Sequence, residues 1–278
     1  MRSILLLPLA LSLAAAAQGD RDEDGTLRCI TESSGLAINE SVIMARAPNY
    51  PRQPINIDLY MHFVGPDDKS PEDQLRKIAE KQLDVLNTAF RDSDISFTMQ
   101  DVLFWNDAFY ASIQDGGELA SMIQKYRRGD TKTLNLFVPK FPSKSLGIGG
   151  CISIDDLFML QTTPLSSDGC FVDSTTLPGS ISKRYNQGKT AVHEVGHWLG
   201  LLHTFDGGCD GDGDHIRDTP AQAYATYRCD NEFQDTCPAK DGYDPIHNYM
   251  GYSYDSCMTE FTEGQTFIMH YTWNRFRK

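Results

Sequence analysis

The chemistry of this chain is concentrated in eleven residues, His193-Glu194-Val195-Gly196-His197-Trp198-Leu199-Gly200-Leu201-Leu202-His203. On an α-helix, positions i and i+4 share one face, so His193 and His197 can aim their imidazoles at a single point. Gly200 can take the left-handed conformation that ends a helix without steric cost, which lets the chain turn and return His203 to the same point. Three neutral imidazoles make a zinc site with an open fourth position, the arrangement of catalytic rather than structural zinc. Glu194 points close to that opening. It is placed to take a proton from water held there, whose pKa the metal lowers from about 15.7 to about 7. The competing reading is a surface histidine cluster on an amphipathic helix. It leaves unexplained why five positions of H-E-x-x-H-x-x-G-x-x-H each meet a separate geometric need. The spacing therefore points to metal-assisted hydrolysis.

Several elements must hold that helix in place. Asn186 to Lys189 leads into it, and Ala191, Val195, Trp198, Leu199 and Leu202 bury its far side. Upstream, Pro54 to Val64 alternates as a first strand. Ser70 then opens a helix, with Pro71 at its first position and Asp73 closing a capping-box-like pair. Its apolar stripe is Leu75, Ile78, Ala79, Leu83, Leu86 and Phe90. Ile95, Phe97 and Met99 predict a second strand, continued by Val102 to Trp105 after a bend; Glu118 to Arg128 predicts a short helix and Leu134 to Val138 a compact β-run. Gly147-Ile148-Gly149-Gly150 has neither the lysine nor the spacing of a phosphate loop and reads as a flexible cleft loop. Asp168 to Val172 and Thr175 to Leu177 are short, partly apolar patches. After His203 the periodicity fades until Thr262, which with Gln265 forms a capping box for a last helix carrying Phe267, Ile268, Tyr271 and Phe276.

Composition sets the outer limits. The 278 residues, 40% hydrophobic and 23% charged, are ordinary for a soluble globular protein and could hold one large domain or two small ones. A net charge of −13 argues against nucleic acid or acidic membrane surfaces as partners. Arg2, the apolar run Ile4 to Leu13 and the small residues Ala14 to Ala17 read as a secretory signal peptide over 1–17, too short to serve as a membrane anchor. Residues 18–50 are polar and acid-rich, like a pro-segment, and contain the sequon Asn39-Glu40-Ser41.

Seven cysteines in a secreted chain imply disulfides plus one left over. Six of them, Cys151, Cys170, Cys209, Cys229, Cys237 and Cys257, fall in the second half and allow fifteen pairings. The absence of a C-x-x-C pair disfavours a zinc-thiolate cluster. Cys29 is the odd one, and its thiolate could fill the open metal position and keep an enzyme latent; the rival is an ordinary free thiol or a bridge to a partner. Carboxylates separated by glycines between Asp206 and Asp218 suggest calcium, with Asp212, Asp214 and Asp218 as contributors, although the spacing is not that of an EF-hand. The rival is a solvated acidic loop held by Cys209.

The zinc-binding stretch resembles the metzincin clan, whose signature includes a methionine turn beneath the metal; Asn248-Tyr249-Met250-Gly251-Tyr252 is the counterpart. Gly188 to Phe205, Gly207-Gly208-Cys209, Asp218-Thr219-Pro220 and Asp244 to Met250 are similar to the pappalysin-like peptidases, most of all to small secreted fungal metalloproteases. The resemblance implies an α+β fold over 51–278. It consists of a mixed twisted sheet with a backing helix and the active-site helix, to about residue 203, then a loop-rich, disulfide-bonded subdomain over 204–278. It also implies that Leu134 to Val138 edges the substrate cleft. It favours Cys209 with Cys237 and Cys229 with Cys257, leaving Cys151 with Cys170 as a local closure. Met250 would floor the metal without ligating it, and Tyr252 would support the metal site or the tetrahedral intermediate. Pappalysin-like proenzymes often carry a cysteine before Gly-Thr; here Ile30 replaces that glycine. His62, His215, His247 and His270 lie outside the signature and read as structural or surface residues.

The implied function is secreted, zinc-dependent hydrolysis of peptide bonds in proteins or peptides, with Glu194 as general base. Two other classes stay open on sequence: a catalytically silent binding module of the same fold, which would be marked by loss of Glu194 or a ligand, and a zinc-stabilised structural protein, which would want four protein ligands.

Overall fold

The computed structural model of the chain describes residues 23, 28, 29, 31, 52–65, 71–113, 115–139, 148–152, 165–211 and 213–278. The expected signal peptide, the sequon, Ser70, Gly147 and Asp212 lie outside the described residues, as does most of the expected pro-segment.

The alternation seen in the sequence becomes strand β1 (Ile55–Gly65), with Ile57, Leu59 and Met61 fully buried on one face. The next stripe becomes helix α1 (Glu72–Ala89). It starts after Pro71, which caps it without a side-chain hydrogen bond, and the expected Ser70–Asp73 pair falls on Ser70, outside the described residues. Proline lacks an N–H and carries a φ of −56° here, while Glu72 and Asp73 put negative charge at the positive end of the helix dipole. Strand β2 (Ile95–Asn106) is continuous rather than broken. It pairs in parallel with β1, and a register shift at Leu59/Tyr60 lets Gln100 bulge out without ending the strand.

Helix α2 (Gly116–Tyr126) is capped by Asp115, whose side chain accepts from the Gly117 and Glu118 N–H groups. Strand β3 (Thr133–Pro139) follows, then the short β4 (Gly149–Ile152) and β5 (Gly169–Val172). The sheet order is β2-β1-β3-β5-β4, with only β4 antiparallel to its neighbour. This corrects the sequence reading of the cleft edge. β3 lies between β1 and β5 and every residue in it is buried, so it is an interior strand and not the sheet edge. The edge is β4, formed in part by Gly149 and Gly150, which are strand and not a flexible loop.

One face of the sheet buries Leu59, Met61, Leu134 and Leu136 against α1 and the zinc-motif helix α3 (Lys189–Trp198). On the other face, α2 packs Leu119, Met122 and Ile123 on Phe137 and Phe171. α1 is tied to the start of α3 by the Gln82 amide, which donates to the Gly188 carbonyl at 2.9 Å. The short apolar patch at 175–177 falls on a 3-10 turn, Ser174–Thr176, with Leu177 as its C-cap.

Beyond residue 203 the chain is mostly turns until α4 (Glu263–Thr272), where Thr262 and Gln265 form the expected capping box. Three disulfides, Cys151–Cys170, Cys209–Cys237 and Cys229–Cys257, brace β4 on β5 and this turn-rich region. Asp168 anchors the far end of α3: it accepts from Trp198 Nε1 (3.1 Å) and is paired at 3.0 Å with Arg277, whose guanidinium stacks 3.4 Å over the Trp198 ring. No helix among the described residues is long and apolar enough to cross a membrane.

Candidate active site

α3 begins at Gly188, which sits at φ +79°, and ends at Leu199. Gly200 then takes φ +90°, and a β-carbon there would also lie 2.4 Å from Thr272 Oγ1; glycine is required on both counts. The turn this allows brings His203 back onto the helix. His193 and His203 Nε2 each lie 3.1 Å from His197 Nε2. His193 Nδ1–H donates to the Tyr249 carbonyl and His197 Nδ1–H to the Leu201 carbonyl, both at 2.8 Å. That fixes the tautomer, leaving each Nε2 as a bare acceptor. Burial holds His193 well below the usual imidazole range and His197 at about 3, with the neighbouring imidazoles adding to the effect, so both are neutral.

Neutral imidazole lone pairs facing each other at 3.1 Å repel unless a cation lies between them. A tetrahedral zinc with Zn–N of about 2.0–2.1 Å needs nitrogens roughly 3.3–3.4 Å apart, close to the separation found. The donor set thus fits a zinc ion. Beneath it, Met250 Sδ presses on Gly196 so tightly that a β-carbon on Gly196 would stand 2.3 Å from it. Met250 is held from below, because its N–H donates to Asn248 Oδ1, and the Asn248 and Gln265 amides exchange two hydrogen bonds of 2.8 and 2.9 Å. The Tyr252 hydroxyl stands 3.2 Å from His203 Nε2.

A fourth donor joins the trio. Cys29 Sγ and the three imidazoles offer ligand atoms that all lie within 4.8 Å of one another, and all four residues are buried. Its thiol and the Thr31 hydroxyl donate to Glu194 Oε2 at 3.4 and 3.3 Å, while Glu194 Oε1 has no partner. Burial pushes the Glu194 carboxyl up to about 8. Burial, and then Glu194, push the Cys29 thiol well above its usual value. Thr31 Oγ1 also accepts from the Cys151 N–H on the edge strand β4, at 2.9 Å.

Residues that sequence reasoning passed over complete the site. Arg28, next to Cys29, is 1% exposed and reaches Asp255 at 3.7 Å, Thr190 Oγ1 at 3.2 Å and the Tyr185 ring at 4.2 Å. Asp255 is itself fully buried, also accepting the Gln187 N–H at 2.8 Å. Arginine directly before the odd cysteine was the available signal. Gly149 is another omission, for a β-carbon there would lie 2.4 Å from Glu194 Oε1.

The acidic loop is less uniform than its sequence. Both Asp218 oxygens are committed to α4, accepting from Thr262 Oγ1 and the Gly264 N–H at 2.8 Å. Asp214 Oδ1 accepts from the Ile216 N–H and Thr219 Oγ1, but its Oδ2 is buried without a partner, and burial pushes the carboxyl up to about 7. The histidines outside the motif are occupied elsewhere. His62 lies between Asn135 and Trp105, His247 pairs with Glu232, His270 meets the Ser93 carbonyl, and His215 adopts a left-handed φ of 61° in a turn.

Residues 122–273 match the family described as pregnancy-associated plasma protein-A. An extracellular metalloprotease of Neurospora crassa is 39% identical over 247 residues, covering 87% of this chain and 83% of that protein. One from Pyricularia oryzae is 39% identical over 278 residues, covering 96% and 95%. Among solved structures, a promirolysin mutant of Tannerella forsythia superposes with a TM-score of 0.68 at 25% identity, over 86% of this chain and 87% of that one. Mature mirolysin in complex with a cleaved peptide gives 0.62 at the same identity, over 79% and 91%. The chain belongs to this pappalysin-like family and is a metallopeptidase.

Proposed function

We propose that the chain is an extracellular, zinc-dependent endopeptidase, made latent by its own N-terminal segment, with His193, His197 and His203 as metal ligands and Glu194 as general base. The observation that carries this reading is the convergence of three Nε2 acceptors beside a buried carboxylate. Zinc bound there would polarise the scissile carbonyl and acidify water at the open position. Glu194 takes the proton of the attacking water and returns it to the leaving amine. The Tyr252 hydroxyl donates to the oxygen on which negative charge develops, supplementing the metal. Met250 and the Tyr249 and Leu201 carbonyls hold the ligands in register. With Thr31 gone, the Cys151 N–H of the β4 edge can pair with a peptide substrate as an added strand.

In the structure these groups are covered. Supporting this, Cys29 Sγ clusters with the three imidazole nitrogens, Thr31 and Cys29 donate to Glu194, and Thr31 takes the Cys151 N–H of the edge strand. Removal of residues 18–50, following loss of a signal peptide over 1–17, would expose all three at once. The pocket filled by Arg28 would then be open to a basic side chain of the substrate.

Calcium is a second cation for the chain. Asp214, with one buried oxygen lacking a partner, is its best contributor; Asp218 serves as a helix cap instead. The test of the main reading is casein hydrolysis by the processed protein with and without a chelator. Activity should vanish with chelator, return with zinc, and be absent in Glu194→Ala protein that still binds one zinc. Hydrolysis persisting in that variant would exclude the mechanism.

A further inference from the structure

Glu23 is the outermost described residue of the N-terminal segment, and it is docked. Its carboxylate meets Arg228 through two parallel contacts, Oε1 to Nε at 2.5 Å and Oε2 to Nη2 at 2.6 Å, with Arg184 Nη2 at 3.8 Å. This fork-on-fork geometry is the one in which a guanidinium recognises a carboxylate. The two arginines belong to the wall that encloses Arg28. Arg184 precedes Tyr185, its carbonyl accepts the Asp255 N–H at 2.9 Å, and its guanidinium lies 5.0 Å over the Tyr254 ring. Tyr227, before Arg228, accepts the Tyr254 N–H at 3.0 Å. One wall therefore presents an acid at the bottom of a pocket and two bases on its rim. Glu23 and Arg28 carry the matching charges.

The sequence around Arg184 is basic. Residues 181–189 carry Lys183, Arg184 and Lys189 and no acid, in a chain of net charge −13. Glu232, four residues after Arg228, is turned to His247 at 2.9 Å. Glu23 stands five positions before Arg28, a reach of at most about 17 Å for an extended chain.

We propose that Arg184 and Arg228 form a carboxylate-binding subsite on the cleft rim. Once the N-terminal segment leaves, it favours substrates bearing an acidic side chain within five residues of the residue seated against Asp255. This rests on the peptidase reading above. The subsite tethers the segment through Glu23 before processing and selects acidic peptides afterwards. The pair is partly exposed, so the discrimination is modest and sensitive to salt.

The experiment uses processed protein and peptides with one arginine and a glutamate placed at each of five positions on either side of it, against matched glutamine peptides. Two readouts are taken: kcat/KM, and binding to the Glu194→Ala protein, which needs no turnover. At one or more positions on one side, glutamate should beat glutamine by roughly three- to five-fold, the size of an exposed charge pair. The preference should fade in high salt, disappear in Arg228→Gln, and turn into a preference for lysine in Arg228→Glu. Equal binding of glutamate and glutamine peptides at every position, or a preference unchanged in Arg228→Gln, overturns the subsite. A preference seen in binding without any cleavage leaves the subsite standing and removes the peptidase reading instead.

Discussion

Replacing Arg28 with alanine should loosen the segment that carries Cys29 while leaving the thiol and its neighbours intact. The closed state holds Arg28 by an ion pair with Asp255 at 3.7 Å, a hydrogen bond to Thr190 at 3.2 Å and a cation–π contact with Tyr185 at 4.2 Å. Opening rehydrates both charges, so the ion pair counts for far less than its Coulomb energy. Assigning about 1 kcal/mol to each of the three contacts, the loss of closure free energy is about 3 kcal/mol, or roughly a 150-fold rise in the open fraction. Cys29 is the free cysteine of a chain whose other six are bridged, so alkylation reads this segment alone. With fast reclosing, the labelling rate follows the open population. Iodoacetamide labelling of unprocessed Arg28→Ala should therefore be about two orders of magnitude faster than for the parent, with Arg28→Lys between them and an unchanged melting temperature of the catalytic core. Labelling within two-fold of the parent would refute the idea that this side chain anchors the segment.

Gly149→Ala puts a methyl group 2.4 Å from Glu194 Oε1 and 2.9 Å from its Cδ, so the carboxylate must move. Peptide hydrolysis should fall by about ten-fold or more in kcat, with zinc content by metal analysis unchanged. Burial raises Asp214 to about 7, so in calcium-free protein its contribution is fully present below the ordinary carboxylate pKa and is lost as pH rises through 7. Calorimetry should show that calcium restores stability near neutral pH to the parent but not to Asp214→Asn. Burial lowers His62 to about 4, with its ring nitrogens engaged by Asn135 and Trp105. The unfolded chain takes up this proton near pH 6.5 and the folded one near 4, so about 3 kcal/mol of stability drains away as pH falls across that window. Urea titrations of His62→Gln minus parent should show that component gone.

What could be read from the residues depended on the range of the interaction. His193, His197 and Gly200 were legible because helix periodicity and a single left-handed residue act over one or two turns. Thr262 and Gln265 were legible for the same reason. Met250 and Tyr252 touch Gly196 and His203 across some fifty residues, and only family resemblance brought them into view. The cysteine pairing has the same character, since spacing alone left fifteen choices open. The cleft edge was misplaced for a related reason. Leu134 to Val138 and Gly149 to Ile152 both look like strands, and which one lies at the edge depends on β5 inserting between them.

The pairing of Arg28 with Asp255 shows where such reading must stop, and why the stopping point is informative. A fully buried arginine costs stability unless a partner meets it, so the chain must place an acid in the same cavity. Nothing in either local sequence announces the other. Yet Asp255 falls short of full satisfaction even with Arg28 present: Oδ2 accepts the Gln187 and Lys189 N–H groups, but Oδ1 has no hydrogen bond, and burial raises the carboxyl above its usual value. A pocket built only to complete a core would have been filled with apolar side chains at lower cost. A pocket that must release one cationic occupant and accept another needs the charge to remain when the first has gone. The incomplete satisfaction of Asp255 is therefore the physical mark of an exchangeable site. On the proposed reading, it ties latency through Cys29 and the selection of substrate to one carboxylate on the wall of the cleft.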